Sequence, residues 1–259
     1  MKYHAPYRYL VANLVVLLTG FCFGAKTADA KPVQADGRAW EFYVAPYLWG
    51  IALDGDISHK PYSVEVDESF SDLWSDLDAG FMGAFEARRD RFSILLDGFY
   101  IDLTDDGAFK NLPLPFPVDL DVDNETYTAL LTATYRVLQS SAGFVDVLAG
   151  YRYWSLETKL RVNTPIADLQ VSEDDSWHDA QFGVRGHLDL TPRLYIEGMA
   201  LTGARSDRTV DLAAFVGYEM NDCTAIMLGY RHVKIDYSTS EYEFDAALRG
   251  PAIGFSYRF

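Results

Sequence analysis

The chain has 259 residues, a formal net charge of −16 at pH 7 and 15% aromatic residues. This acidic balance disfavours nucleic-acid binding, because phosphate contacts need clusters of Lys and Arg. After the first 25 residues, no stretch is long and apolar enough for a membrane-spanning helix, which excludes a helical membrane protein.

Residues 1–30 have the three-part order of a secretory signal peptide. Lys2 and Arg8 give a basic start without any acid, residues 10–25 form an apolar run, and residues 28–30 read Ala-Asp-Ala, an A-x-A cleavage site. This order predicts export from the cytoplasm and cleavage after the third segment. The apolar run is about 16 residues, shorter than the ~20 of a spanning helix, so an uncleaved anchor is the weaker alternative.

Cleavage leaves a mature domain of residues 31–259 with a net charge of −18, because the removed segment carries three basic residues and one acid. A lipoprotein signal at Cys22 is a second alternative, and the bulky Phe21 before it argues against that signal. Only Cys223 remains in the mature chain, so an intrachain disulfide is excluded.

The mature chain divides into ten runs in which apolar and polar side chains alternate. A period of two predicts β-strands with one apolar and one polar face. The even count leaves both chain ends on the periplasmic side, as in single-chain bacterial barrels, with eight or twelve strands as alternatives. The predicted strands cover residues 40–53, 79–89, 91–103, 123–138, 144–160, 177–190, 193–204, 209–220, 224–237 and 248–259.

The lengths of the links between these runs alternate as well. Links after the even-numbered strands are a few residues long, whereas residues 54–78, 104–122 and 161–176 form long links after the first three odd-numbered strands. Short periplasmic turns and longer outer loops are typical of outer-membrane barrels, whereas a soluble β-sandwich has no reason for such sorting. The sequence therefore predicts an all-β, transmembrane antiparallel up-and-down β-barrel.

The last strand carries the pattern of a barrel-assembly signal. In the ending GFSYRF, the aromatic residues Phe255, Tyr257 and Phe259 alternate with small or polar ones, and Gly254 precedes them. This pattern looks like the C-terminal strand that the barrel-assembly machinery of Gram-negative bacteria reads. We therefore expect that machinery and periplasmic chaperones as partners during biogenesis.

Three segments resemble a family of uncharacterised Gram-negative outer-membrane β-barrel proteins. They are WEFYVAPYLWGIALDGDI, FSDLWSDLDAGFMGAFEARRDRFSILLDGFYIDL and the terminal GFSYRF, and the similarity is densest over residues 40–103. The resemblance implies a barrel in the bacterial cell outer membrane, and it brings no catalytic motif.

Acidic residues and arginines occur together at inward-facing positions of the predicted strands. An unpaired charge in a narrow lumen is costly, so we predict a mutually paired network that fills the barrel. The alternative is a narrow polar pore lined by the same groups, because charge rings set ion selectivity and a ten-stranded barrel lies between filled and open cylinders. The residues are Glu41, Glu86, Arg88, Asp97, Arg136, Asp146, Arg152, Arg185, Glu197, Asp211 and Arg231.

A rim-active hydrolase, such as a protease or a lipid-A-modifying enzyme, is an alternative function. Adjacent His178 and Asp179 point to opposite faces of a strand and cannot form a dyad, and no nucleophile elbow is present. We expect no catalytic residue, no metal site and no cofactor. The other rim candidates are His59, Asp174, Asp175, Ser176, His232 and Asp236.

The first long link contains a helical pattern. The spacing i, i+3, i+4, i+7 predicts a short amphipathic helix over residues 69–78, which could cap the barrel mouth, lie at the outer-leaflet boundary or gate a pore. The apolar face consists of Phe70, Leu73, Trp74 and Leu77.

The second long link contains an acidic run, Asp119, Asp121, Asp123 and Glu125. The run lacks the Gly and Glu of an EF-hand, so it predicts at most loosely held divalent ions that bridge to lipopolysaccharide phosphate. We expect outer-membrane lipid and lipopolysaccharide as partners. The sequence favours a non-enzymatic structural protein or narrow passive pore for small polar solutes, and a binding or adhesion platform built from the outer loops is a further alternative.

Overall fold

The structure is a computed structural model that describes residues 39–59, 62–71, 77–106, 119–163, 168–204, 208–238 and 242–259. The predicted signal peptide and its cleavage site lie outside the described residues, and cleavage stays a prediction. Among the described residues, no helix is both long and apolar enough to cross a membrane.

The described residues form strands over nearly their whole length. The strands, in chain order, are β1 (Glu41–Trp49), β2 (Ala52–His59), β3 (Tyr62–Glu68), β4 (Leu77–Arg89), β5 (Phe92–Asp106), β6 (Asp119–Ser140), β7 (Gly143–Asn163), β8 (Asp168–Asp189), β9 (Leu194–Gly203), β10 (Arg208–Asn221), β11 (Thr224–Ser238) and β12 (Tyr242–Arg258).

Ten antiparallel strands close the barrel wall, which confirms the predicted fold. Strands β4 to β12 pair in chain order, and β1 pairs with both β4 and β12. The barrel has two ends. The turn end carries the short links after β4, β6, β8 and β10 together with the chain terminus, and the loop end is opposite.

The first predicted strand, residues 40–53, is divided into β1 and β2 by a local break at residues 50 and 51, across which the register with β12 does not change. The Ile51 N–H donates to the Trp49 carbonyl over 3.0 Å, so the extended chain is interrupted there. Beyond this break, β2 continues along β12 in the place of β1, and β3 folds back onto β2 as a hairpin. The predicted loop over residues 54–78 therefore contains two strands.

The C-terminal aromatic residue completes the seam between β12 and β1. Phe259 and Phe42 exchange two backbone hydrogen bonds, of 3.0 and 3.2 Å. The Phe259 ring stacks on the rings of Phe42, at 5.6 Å, and Tyr257, at 6.1 Å. Gly254 and Phe255 of the predicted assembly signal lie in β12, and their reading by the assembly machinery stays a prediction.

The wall has an apolar outer face and a polar or tightly packed inner face. In β6, the outward-facing Tyr127, Leu131 and Tyr135 are exposed, whereas the inward-facing Leu130 and Thr132 between them are buried. This alternation is what a strand between lipid and lumen requires.

Three strands are much longer than predicted. β6, β7 and β8 have 22, 21 and 22 residues, whereas a tilted strand crosses a membrane in about 9–11 residues. The predicted loop over residues 161–176 is therefore wrong for most of its length, and the acidic run from Asp119 to Glu125 lies in β6. The sequence still alternates at this end of β6, with Asp119, Asp121 and Asp123 against Leu120 and Val122, but the apolar and polar positions are exchanged relative to the rest of the strand.

The predicted loop helix is only partly described. Phe70 and Ser71 have helical backbone, and Leu73 and Trp74 lie outside the described residues. The Phe70 ring lies so close to Gly50 that a Cβ on that glycine would come within 3.2 Å of it. Leu77 was wrongly included in the helix, because it begins β4 and pairs with Leu103 of β5.

Candidate functional site

The inward-facing side chains stack in layers along the lumen. On β7, from the turn end upwards, Asp146, Leu148, Arg152 and Trp154 are each at most 3% exposed. The lumen thus passes from an ionic layer to an apolar one, then to a second ionic layer and an aromatic one. Neighbouring strands contribute to each layer at the same height.

The first ionic layer, here the turn-side cluster, consists of Glu86, Arg88, Arg136, Asp146 and Arg185. Asp146 accepts hydrogen bonds from Arg136 Nε at 3.0 Å and from the Nη2 atoms of Arg88 and Arg185, both at 2.9 Å. Glu86 accepts a bidentate pair from Arg185, at 2.8 and 2.9 Å, and one bond from Arg88 at 2.6 Å. Three guanidinium groups therefore share two carboxylates.

An aromatic stack supports this cluster from the turn end. The Arg136 guanidinium carbon lies 3.6 Å from the Phe144 ring centroid. The His187 ring is parallel to that of Phe144 at 5.0 Å. His187 Nδ1 lies 3.2 Å from a Glu197 carboxylate oxygen, and His187 Nε2 lies 3.1 Å from Asp189. The stack therefore connects Arg136 of the cluster, through Phe144 and His187, with the carboxylates of Glu197 and Asp189.

The second ionic layer, here the loop-side cluster, consists of Tyr47, Asp97, Arg152, Asp211 and Arg231. Asp211 is fully buried and accepts bonds from Arg152 and from Arg231, the latter at 2.7 and 3.1 Å. Arg231 also donates to Asp97 at 2.7 Å and to the Tyr47 hydroxyl at 2.9 Å. The Tyr47 hydroxyl donates to Asp97 at 3.0 Å. Two guanidinium groups are thus bonded to two carboxylates, and a third buried carboxylate, Asp179, lies opposite Arg152 on β8.

Four aromatic rings, here the aromatic layer, lie directly above the loop-side cluster. Phe99 contacts Trp49 and Trp154 edge-on, each with a centroid distance of 5.8 Å, and Trp154 stacks on Trp177 at 6.0 Å. All four rings are buried, and residues of β11 and β12, among them Val233, pack against them. Because the rings come from β1, β5, β7 and β8 and meet β11 and β12, they cross the lumen.

A cavity of about 620 Å³ occupies the lumen between the turn end and the loop-side cluster. Residues 221–223 of the β10–β11 turn form part of its rim, and Tyr47 and Arg231 lie at its inner end. One wall carries the turn-side cluster, and the other carries small side chains such as Ala213 and Ala252. No ring of the aromatic layer lines the cavity, so it ends below that layer.

The structure places nine of the eleven predicted lumen residues in the two ionic clusters. Glu197 contacts His187 below the turn-side cluster, and Glu41 accepts a bond from the Tyr43 hydroxyl at 3.1 Å near the cavity rim. Sequence reasoning missed Tyr47, and it missed the whole aromatic layer, because it searched the inward positions for ionisable groups alone. The available signal was an aromatic residue two positions beyond an inward polar one, as in Arg152 and Trp154.

The described rim residues do not assemble a catalytic group. His178 faces outwards and stacks on Tyr151 at 5.2 Å, whereas Asp179 is buried inside. His232 and Asp236 lie four residues apart on β11, a separation of about 13 Å along a strand. Within the described ranges, no three His, Cys, Asp or Glu side chains are placed to hold a metal ion. The other candidates lie in β2 (His59) and β8 (Asp174, Asp175 and Ser176).

No protein-family model matches the chain, and no curated protein matches it. Several solved structures match the chain in fold. The outer membrane protease OmpT of Escherichia coli is 10% identical with a TM-score of 0.54, and the match covers 90% of this chain and 99% of that one.

Two further matches are more distant. The translocator domain of the autotransporter NalP of Neisseria meningitidis is 8% identical with a TM-score of 0.43, over 98% of this chain and 96% of that one. Ail of Yersinia pestis is 10% identical with a TM-score of 0.37, over 86% and 99%. At such identities the similarity to OmpT concerns the fold. The chain therefore has the closed-barrel fold of Gram-negative outer-membrane proteins.

Proposed function

We propose that this protein is an integral, non-enzymatic barrel of the bacterial outer membrane whose lumen is closed to solutes. The observation that carries the proposal is the aromatic layer, which crosses the lumen above the buried loop-side cluster. Of the two functions that the sequence favours, this supports the structural one over the passive pore.

The closure has a physical basis in desolvation. A polar solute that crosses the aromatic layer would have to leave water without gaining hydrogen bonds, which costs several kcal/mol. Hydrophobic constrictions in channels exclude water and ions for the same reason. Below the layer, Arg231 holds Asp97 and Asp211 together across the lumen, at 2.7 Å each. A solute would have to break these contacts as well.

The apolar outer face supports a location in outer-membrane lipid, with the turn end in the periplasm. Barrels of this class have short periplasmic turns. The long strands β6, β7 and β8 would then project from the outer surface by roughly 30 Å, at about 3.3 Å per residue. This projection favours a surface-binding platform as the second candidate function.

Shortening the β7–β8 hairpin by equal numbers of residues from each strand should abolish cell-surface binding if the platform exists, and should leave barrel folding intact.

Liposome swelling tests the closed lumen. Proteoliposomes with the wild-type protein should swell in isotonic arabinose no faster than empty liposomes, whereas Trp154→Ala should admit the sugar. Tyr151→Ala, an aromatic truncation on the outer face of the same strand, is the matched control and should stay closed. Heat-modifiable gel mobility confirms that each variant is folded. Swelling by the wild-type protein would refute the closed lumen, and a closed Trp154→Ala variant would show that the layer is not the seal.

A further inference from the structure

The outer face of the wall carries an apolar groove near the turn end. Its floor is a row of three small residues on neighbouring strands, in which Gly198 of β9 pairs with Gly186 of β8 and with Ala214 of β10. The groove has a volume of about 950 Å³, within the range of roughly 300–1,000 Å³ that is typical of small-molecule sites. The next row towards the turn end is a ridge of side chains that are 40–61% exposed, namely Leu188, Ile196, Val216 and Leu228.

Neither glycine of the floor is required by the wall itself. Glycine inside a strand weakens it and usually marks a bulge, a close approach of another backbone or a ligand. The register from β7 to β10 runs through both positions without a shift. A Cβ on Gly186 would lie 4.0 Å from the nearest non-neighbouring atom and one on Gly198 would lie 3.6 Å from it, whereas on the inward-facing Gly183 it would clash with the Ala200 carbonyl. Of the three reasons for a glycine, the ligand remains.

The turn end of the groove is polar. Gln139 and Ser140 line it at the β6–β7 turn, and the Asp189 N–H donates to a carbonyl of that turn over 2.7 Å, which holds it beside the end of β8. Arg193 lies in the adjoining β8–β9 turn, is exposed, and forms no ion pair within the part of the chain that the structure describes. The Asp189 carboxylate is engaged by His187 at 3.1 Å. The groove therefore passes from an apolar floor to a polar end with an exposed guanidinium group.

From these observations we infer that the groove binds an acyl chain of an inner-leaflet glycerophospholipid, whose phosphate lies at the turn end beside Arg193. The inference rests on the proposed location in outer-membrane lipid with the turn end in the periplasm. An acyl chain fits an apolar floor, and phosphate forms strong hydrogen bonds with guanidinium groups. A second copy of the chain fits less well, because a twofold axis at the groove would set it against its own copy and leave both unfilled.

Photolabelling in lipid vesicles tests the inference. The protein is reconstituted in phosphatidylcholine with a trace of phosphatidylglycerol that carries a diazirine midway along one acyl chain, and the labelled peptides are identified by mass spectrometry. Peptides from residues 184–200 should carry several-fold more lipid than those from residues 127–137, which belong to the outer face of β6 outside the groove. Even labelling of the two segments would overturn the inference.

Filling the floor separates the groove from general contact with lipid. Gly198→Leu should lower the labelling of residues 184–200 several-fold. Ala149→Leu, a change at an exposed outer position outside the groove, is the matched control and should leave the labelling unchanged. Gly186→Leu should act like Gly198→Leu, and it keeps the test valid if that variant fails to fold. Unchanged labelling in both glycine variants would overturn the inference, and so would a wild-type dimer on native gels that Gly198→Leu dissociates.

A charge variant tests the position of the headgroup. Arg193→Gln should lower the labelling of residues 184–200 by about two- to fivefold, the value of one exposed charge contact. Arg91→Gln, in the β4–β5 turn, is the control and should change nothing. Equal labelling in the two variants would refute the position of the phosphate. Flotation with the vesicles reports separately on the proposed function: a protein that does not float refutes the membrane location, whereas one that floats and labels evenly refutes the lipid site alone.

Discussion

The two ionic clusters of the lumen are made of the same residue types and differ in balance and access. The loop-side cluster pairs two arginines with two carboxylates beneath four aromatic rings. The turn-side cluster shares two carboxylates among three arginines and lines an open cavity. The loop-side cluster is sealed at Arg152 and Asp211 and meets the cavity only at its inner end, whereas the turn-side cluster lies along the open cavity wall.

The different access of the two clusters to the cavity indicates what each requires of its charges. Charges that are sealed from water must be matched, because neither solvent nor mobile ions can compensate an imbalance. Charges beside a water-filled cavity need no such match, because counter-ions can enter. Carboxylates outside the turn-side cluster, Glu41, Glu197, Glu219 and Asp222, line the same cavity and offset the charge of the third arginine.

Neutralising the centre of the sealed cluster should have the largest effect. Asp211→Asn removes the carboxylate that Arg152 and Arg231 share in a buried layer, and we expect a loss of about 3–5 kcal/mol in the free energy of unfolding. Urea unfolding in lipid vesicles, followed by tryptophan fluorescence, measures it. Asp236→Asn, an exposed carboxylate on β11, is the control. A loss below about 1 kcal/mol, the range of exposed ion pairs, would mean that the layer is hydrated.

The equivalent change in the open cluster should cost less. Asp146→Asn deprives Arg136 of its carboxylate, but Arg88 and Arg185 keep Glu86. We expect a loss of about 1–3 kcal/mol, the cost of unsatisfied hydrogen-bonding groups. The same urea titration at rising salt should show this loss shrinking, since anions can reach Arg136, while the loss of Asp211→Asn stays constant. Equal salt responses would remove the distinction between the clusters.

An ion pair outside the lumen should have the smallest effect. Lys159 lies 3.0 Å from Glu157 and 3.4 Å from Glu125 on the outer face of the projecting strands. Solvent screens such pairs, so Lys159→Gln should leave the urea midpoint within the scatter of replicate measurements. A clear shift would show that the projecting sheet contributes to barrel stability.

Period-two alternation was enough to predict the barrel and the inward positions. The pattern Tyr127, Leu131, Tyr135 against Leu130 and Thr132 is visible in the sequence because one face of β6 is exposed and apolar and the other is buried. The same strand was predicted too short at the loop end, where Leu120 and Val122 alternate with aspartates and the apolar residues change face. Strand existence was therefore predictable, and strand length was predictable only where the apolar residues keep to one face.

The partners within the lumen could not be predicted. Arg231 and Asp97 are 134 residues apart in sequence and meet across the barrel at 2.7 Å. Such pairs depend on strand tilt and stagger, which set the height of each residue, and alternation contains no information on either. The aromatic layer could not be predicted for the same reason, because Trp49 and Trp154 become neighbours of Phe99 only when the barrel wall closes.

Single-channel recording in planar bilayers tests the closed lumen most directly. The folded wild-type protein should show no unitary conductance steps in potassium chloride at either polarity, and Trp154→Ala should show them under the same conditions. Stable steps from the wild-type protein, absent from a heat-denatured sample, would contradict the account, because ions would then be passing the layer of Trp49, Phe99, Trp154 and Trp177.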